Sequence, residues 1–172
     1  MTMGNAMLPI HKGRYQARLA GNLADLEAAQ RLRWQCFMAR HQPRTIGNAM
    51  RDADDLDAAC QHMLIEDLTS GRLVCTYRFM PLSGGHQIQD SYSAQYYNLA
   101  CLEGFDAPMV EMGRFCVHPD WRDPNILRLA WAAMTRFVDE NGTRLLFGCS
   151  SFTGTEPDTH ADAFAMLRER HL

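Results

Sequence analysis

Lysine is almost absent: Lys12 is the only one among the 17 basic residues of this 172-residue chain. Arginine carries the positive charge, and its planar fork suits carboxylate and phosphate partners, although codon bias explains the same skew. With 20 acidic residues the formal net charge is -3 and the pI about 6.1. That balance argues against a nucleic-acid-binding protein and leaves room only for a local basic patch. The six cysteines include no C-x-x-C pair and mostly sit in apolar runs, so they read as reduced core thiols. His41, His62, His86 and His118 lack ligand spacing, and no metal is implied. No apolar run approaches the ~18 to 20 residues of a spanning helix, and no charged-then-apolar leader opens the chain. A cytoplasmic protein is expected, able to touch a membrane surface without crossing it. Internal repeats, low-complexity tracts and Gly/Ser linkers are also missing, so residues 1–172 are expected to form one domain.

What is present looks globular: 47% hydrophobic and 22% charged residues. "GRYQARLA" alternates as a first strand. "NLADLEAAQRLRWQCFMARH" follows as a helix with Asn22 as its cap, and Arg33 and Phe37, one turn apart, share a face. "TIGNAMRDADDLDAACQ" is a polar, acidic loop. "HMLIED" and "GRLVCTYRFMPL" form an antiparallel hairpin about a tight turn. The stretch "SGGHQIQDSYSAQYYNLACLEGFDA" has no firm period and mixes loop with a short helix. "PNILRLAWAAMTRFVDENG" is helical, with an apolar stripe from Ile126 to Phe137 and Gly142 as its stop. "TRLLFGCSSF" reads as a strand and "HADAFAMLRERHL" as a final helix. The order implies an α/β or α+β layered sheet.

The stretch "VEMGRFCVHPDWRDPNIL", residues 110–127, carries the chemistry. Regular alternation would place Glu111 and Arg114 on opposite faces of a strand, since an offset of three reverses parity. Gly113 between them marks a candidate bulge, which re-aims the side chains beyond it and frees backbone N–H groups for an oxyanion. Glu111 is then a candidate general base, and Arg114 a group that holds a substrate carboxylate or steadies Glu111. The same pair also reads as a structural ion pair across the sheet. At the helix start near Pro124, free N–H groups and the dipole form a candidate anion site, with Arg122 adding charge.

"CVHPDWR" followed by a helix resembles the V-x-P-x-[YW]-R signature of the GNAT superfamily of N-acyltransferases. That resemblance implies a mixed, mostly antiparallel central sheet with a bulged central strand, flanked by helices. The Gly-rich loop that normally cradles the coenzyme A pyrophosphate is replaced here by "DPNIL", which favours a donor with a single phosphate. Together with "LLFGCSSFTGTEP", the pattern is similar to the ornithine N-acyltransferases of ornithine-lipid synthesis, which are related to acyl-homoserine lactone synthases. The lactone synthases' motifs map onto Arg33 with Phe37, Asp54 with Asp57, Arg78, and Glu111, Arg114 and Phe115. Their usual Trp after the first Phe is absent, Pro43 lying near that position.

The resemblance implies attack of the ornithine α-amine on a 3-hydroxyacyl-acyl carrier protein thioester, with no bound cofactor. Glu111 and Arg114 would be catalytic, and Arg33, Phe37, Asp54, Asp57 and Arg78 would bind the amino acid. Phe115, Cys116, Val117, Arg122, Asn125, Ile126, Ser150, Ser151 and Phe152 would meet the acyl donor. Cys116 is expected as a buried thiol, not a nucleophile, because thioester aminolysis needs none. Arg122, Arg128 and Arg136 form a candidate docking face for the acidic carrier protein. The lipid product implies transient contact with the inner face of the membrane. A coenzyme A-dependent acetyltransferase and a non-catalytic acyl-binding domain are the competing readings.

Overall fold

The computed structural model describes residues 7–38, 50–152, 154 and 156–171. Strands β1 (Ile10–Lys12), β2 (Tyr15–Leu19), β3 (Gln61–Asp67), β4 (Arg72–Leu82), β5 (Met109–Val117) and β6 (Leu145–Phe147) form one sheet in sequential order. Neighbours run antiparallel except β5 and β6, which are parallel. A parallel pair needs a crossover, and helix α2 (Pro124–Glu140) supplies it. The expected mixed, mostly antiparallel sheet is therefore present. β1 is an addition, too short to show a period; it turns into β2 through Gly13, whose φ of 59° favours glycine.

Successive residues of a strand face opposite ways, and β4 shows what each face meets. The Tyr77 hydroxyl donates to the Ala130 carbonyl of α2 at 2.7 Å, whereas Arg78 turns to the opposite side and pairs with Asp57. The α2 face is the main core: Ile126, Leu129, Ala130, Ala133, Met134 and Phe137 pack on Tyr15, Ala17, Met63, Ile65, Tyr77 and Phe79. The Phe79 and Phe137 rings stack at 4.0 Å. Each such ring or branched side chain, once buried, is worth about 1.5–3 kcal/mol. Helix α1 (Leu23–Phe37) covers the other face and begins as expected at Asn22, whose side chain accepts the Asp25 N–H at 3.0 Å. The helical pattern that continued to residue 41 lies beyond residue 38 outside the described residues, as do Pro43 and part of the acidic loop.

Two elements differ from expectation. The strand expected over residues 143–152 pairs with β5 only over Leu145–Phe147, because the chain then turns away along the cavity described below. The aperiodic stretch holds three 3-10 turns, Gly85–Asp90, Ser93–Gln95 and Ala100–Leu102. Helix α3 (Ala161–His171) forms as expected and buries none of its residues. No helix among the described residues is long and apolar enough to cross a membrane.

β5 is broken where it matters. Gly113 pairs with Arg78 and Cys116 with Thr76, so two residues, Arg114 and Phe115, oppose Tyr77 alone. That is a bulge of one extra residue. The left-handed residue within it is Arg114, with φ 55°, and not the neighbouring glycine. A non-glycine residue held there stores strain on the order of 1 kcal/mol. The bulge turns the Arg114 side chain to the side that Glu111 faces.

Candidate active site

A cavity of about 450 Å³ opens along the bulge. Glu111, Gly113, Arg114 and Phe115 of β5 line it, with Arg78 and Met80 from β4. Phe37 closes one side from α1, Leu56 and Cys60 another, and Tyr92, Met112, Cys149 and Ser151 complete the wall. Gly113 has open space where a Cβ would point, so any side chain there would occupy the cavity. This explains the glycine better than backbone conformation does.

Glu111 is 4% exposed and its carboxylate accepts three hydrogen bonds. The Tyr92 N–H and the Ser93 N–H each donate at 2.7 Å, and the Ser93 hydroxyl also donates to Oε1. The expected ion pair with Arg114 is not made: Arg114 turns instead to aspartates. The two residues share the cavity without touching each other's charge.

Behind the cavity lies a knot of three arginines and three aspartates. Arg33 grips Asp57 with both terminal nitrogens at 2.8 Å, and Arg78 grips Asp54 at 2.6 and 2.9 Å and Asp57 at 2.5 Å. Arg114 reaches Asp54 at 3.3 Å and Asp52 at 3.4 Å, and Arg33 reaches Asp52 at 3.1 Å. Burial alone would raise the Asp57 carboxyl, but hydrogen bonds from Arg33 and Gln30 and the Arg33 charge outweigh it and hold the group well below its ordinary range. Asp54 is likewise lowered, burial being outweighed by Arg78. Arg33 and Asp57 are thus consumed by each other, 1% and 6% exposed, and form the floor of the site and not its grip. Asp54 and Arg114 are the accessible end, with side chains 27% and 29% exposed. The Arg114 Nε is the atom that faces Asp52; it is buried, and the contact is an ion pair without a formed hydrogen bond.

Of the residues expected to meet the donor, Phe115 and Ser151 line the cavity and the others do not. Cys116 and Ile126 belong to the core. A hydrogen bond with Cys36 and burial push the Cys116 thiol far up, which agrees with an inert thiol. Val117 accepts the Cys36 thiol at 3.4 Å, Ser150 is exposed, and the Phe152 ring packs on Phe164 of α3 at 5.0 Å. At the start of α2 the Asp123 carboxylate accepts the Asn125 N–H at 2.9 Å, so the helix caps itself with a fixed negative charge; Arg122 is exposed beside it. Tyr92, Ser93, Cys149 and Asp52 were not anticipated. The first two lie in the aperiodic stretch, and nothing in their local sequence marks them. Cys149 was expected in the core; it is exposed, as is Cys101.

A bulged central strand beside a cavity, within a mostly antiparallel sheet whose last strand is parallel, defines the GNAT class of fold. The acetyltransferase (GNAT) domain matches residues 32–132, from α1 through the bulge into α2, and the chain belongs to that family. It is 30% identical over 175 residues, 95% of its length, to the L-ornithine N(alpha)-acyltransferase of Brucella abortus (strain 2308). It is also 30% identical over 166 residues, 92% of its length, to the protein of that name from Rhodobacter capsulatus. The chain spans 62% and 64% of the lengths of these two relatives. Among solved structures it resembles the AHL synthase LasI (TM-score 0.57, 17% identity, 90% of this chain and 77% of that one). It also resembles FeeM, an N-acyl amino acid synthase from uncultured soil microbes (TM-score 0.55, 16% identity, 93% and 78%). At such identities the likeness concerns the fold.

Proposed function

We propose that the chain is an N-acyltransferase domain that moves a 3-hydroxyacyl group from acyl carrier protein to the α-amine of L-ornithine. The observation that carries this reading is the bulge at Arg114, which gives Glu111 and Arg114 a common cavity. The names of the curated relatives supply the acceptor. Glu111 takes the proton that the attacking nitrogen sheds once the tetrahedral intermediate has formed, since its carboxylate lines the cavity and no cation is bonded to it. The unpaired backbone of the bulge lies beside the reacting carbon and suits a developing oxyanion. Arg114, whose side chain is 29% exposed at the open end of the knot, receives the amino acid carboxylate, and Asp54 receives the side-chain ammonium.

The donor is the finer part of the proposal. The glycine-free turn and the Asp123 carboxylate at the start of α2 disfavour a pyrophosphate there, which speaks for a phosphopantetheine carried by a protein. Arg122 and Arg128 are exposed and available to an acidic carrier, whereas Arg136 is paired with Glu140 at 2.6 Å. A lipid product accounts for the expected passing contact with the inner membrane face.

Purified protein incubated with 3-hydroxyacyl-acyl carrier protein and a panel of amino acids should yield N-acylornithine by mass spectrometry. No product with any acceptor would sink the reading. Product from acyl-coenzyme A alone would replace the donor.

A further inference from the structure

The cavity contains a line of exchangeable protons that simple aminolysis by one base does not need. Ser93 Oγ donates to Glu111 Oε1 and lies 3.2 Å from Cys149 Sγ. A hydroxyl has a single proton, and that of Ser93 is committed to the carboxylate, so the thiol is the donor in the second contact. Glu111 and Cys149 both line the cavity, while Ser93 between them is buried, 4% exposed. The line therefore has two ends open to substrate and a middle shielded from water. Gly148 sets its far end. A Cβ at Gly148 would come within 2.3 Å of the Met112 carbonyl oxygen, so only glycine lets the chain leaving β6 pass close enough to β5 to bring the thiol to Ser93.

We propose that Cys149 is the general acid that protonates the departing thiolate, and that Ser93 relays to it the proton collected by Glu111. This rests on the acyl-transfer reading above. The amine lone pair forms the N–C bond, and the C–S bond breaks with its electron pair left on sulfur. The proton shed by nitrogen goes to Glu111, and the Cys149 thiol gives its proton to the departing sulfur. Glu111 then passes its proton to Ser93 Oγ as Ser93 passes its own to the Cys149 thiolate. The sum is amine plus thioester to amide plus thiol, with all three side chains returned to their starting state. Transfer from a thiol to an alkyl thiolate is between like groups and nearly thermoneutral, and return from a carboxylic acid to a thiolate runs downhill. The other candidates on the wall are less suited. Burial pushes the Cys60 thiol up to about 11, and the Tyr92 hydroxyl is tied to Tyr96.

The test compares two donors carrying the same 3-hydroxyacyl chain: an N-acetylcysteamine thioester, whose thiolate needs a proton to leave, and a thiophenyl ester, whose thiolate does not. Cys149→Ala should lose about 100-fold in kcat/KM on the first and stay near wild type on the second. Ser93→Ala, in which Ser93 acts as a positioning residue, should show a kcat that rises with imidazole buffer concentration, unlike wild type. Cys149 is exposed, and an unchanged melting temperature would confirm that the alanine variant folds. Equal losses on both donors, or no loss on either, would overturn the relay. So would an acyl adduct on Cys149, which would make it a nucleophile. Wild-type protein that makes no amide from either ester or from acyl carrier protein would overturn the acyl-transfer reading itself and the relay with it.

Discussion

Asp57 and Glu111 are both buried carboxylates with several hydrogen bonds, and they differ in what their donors carry. Asp57 accepts from the Arg33 and Arg78 guanidinium groups and the Gln30 amide. Glu111 accepts only from neutral groups, two backbone N–H and one hydroxyl. A proton placed on Asp57 would take from two buried cations the carboxylate they share and leave them only Asp52 and Asp54, whereas no cation is bonded to Glu111. Cations fix the first carboxylate as structure, and the second faces the cavity with no cation bound to it.

The contrast breaks most severely at Asp57. Asp57→Asn should cost about 3 kcal/mol of unfolding free energy, since it removes the buried carboxylate that Arg33 and Arg78 share and leaves them only Asp52 and Asp54, and urea denaturation measures it. Acid should have a graded form of the same effect. The Asp57 and Asp54 carboxyls are held below their ordinary range in the folded state, so their stabilisation is present above about pH 4 and lost as pH falls through the folded values. His62 adds a separate arm. Burial lowers its folded value, so the unfolded chain binds more protons just below about pH 6.5, and stability rises with pH up to that point. Denaturation midpoints between pH 3 and 8 should show both arms, and His62→Gln should remove only the upper one.

Glu111→Gln should instead cost turnover: about 100-fold in kcat, close to 2.7 kcal/mol of barrier, with a smaller stability loss of about 1–2 kcal/mol from one mismatched N–H. Equal acceptor binding with lost kcat would sharpen the contrast, and near wild-type kcat would erase it. Gly113→Leu should lower kcat/KM roughly tenfold, on the order of 1.4 kcal/mol, by occupying the cavity, while melting changes little because the added side chain meets open space. The smallest stability effect is expected at Arg114→Gly. Relief of a left-handed residue, about 1 kcal/mol, offsets the loss of two partly exposed ion pairs worth about 1 kcal/mol each at most. Activity should nevertheless fall, and a melting curve beside an acceptor KM separates the two.

Much of the frame was legible in advance. The β3–β4 hairpin, the Asn22 cap, the α2 stripe and the break in β5 all follow from local rules of period, capping and glycine placement. The position of the left-handed residue did not, because strand pairing with β4 decides where the extra residue sits. The motif residues were legible as a set but not by task. Arg33 and Phe37 share a helical face, yet Arg33 is sealed against Asp57 while Phe37, 37% exposed, lines the cavity. Ser93 and Cys149 were illegible as partners, being 56 residues apart, the first in a segment without a period and the second in a stretch that reads as a strand.

The sequence by itself determined the layered sheet, its bulged strand and the pool of charged groups, since these depend on side-chain periodicity and on glycine and proline placement within a few residues. Only the tertiary structure decided which charges neutralise one another and which face the cavity. That choice depends on distances between segments far apart in the chain, and a difference of a few ångströms there separates a locked ion pair from a group free to take a proton.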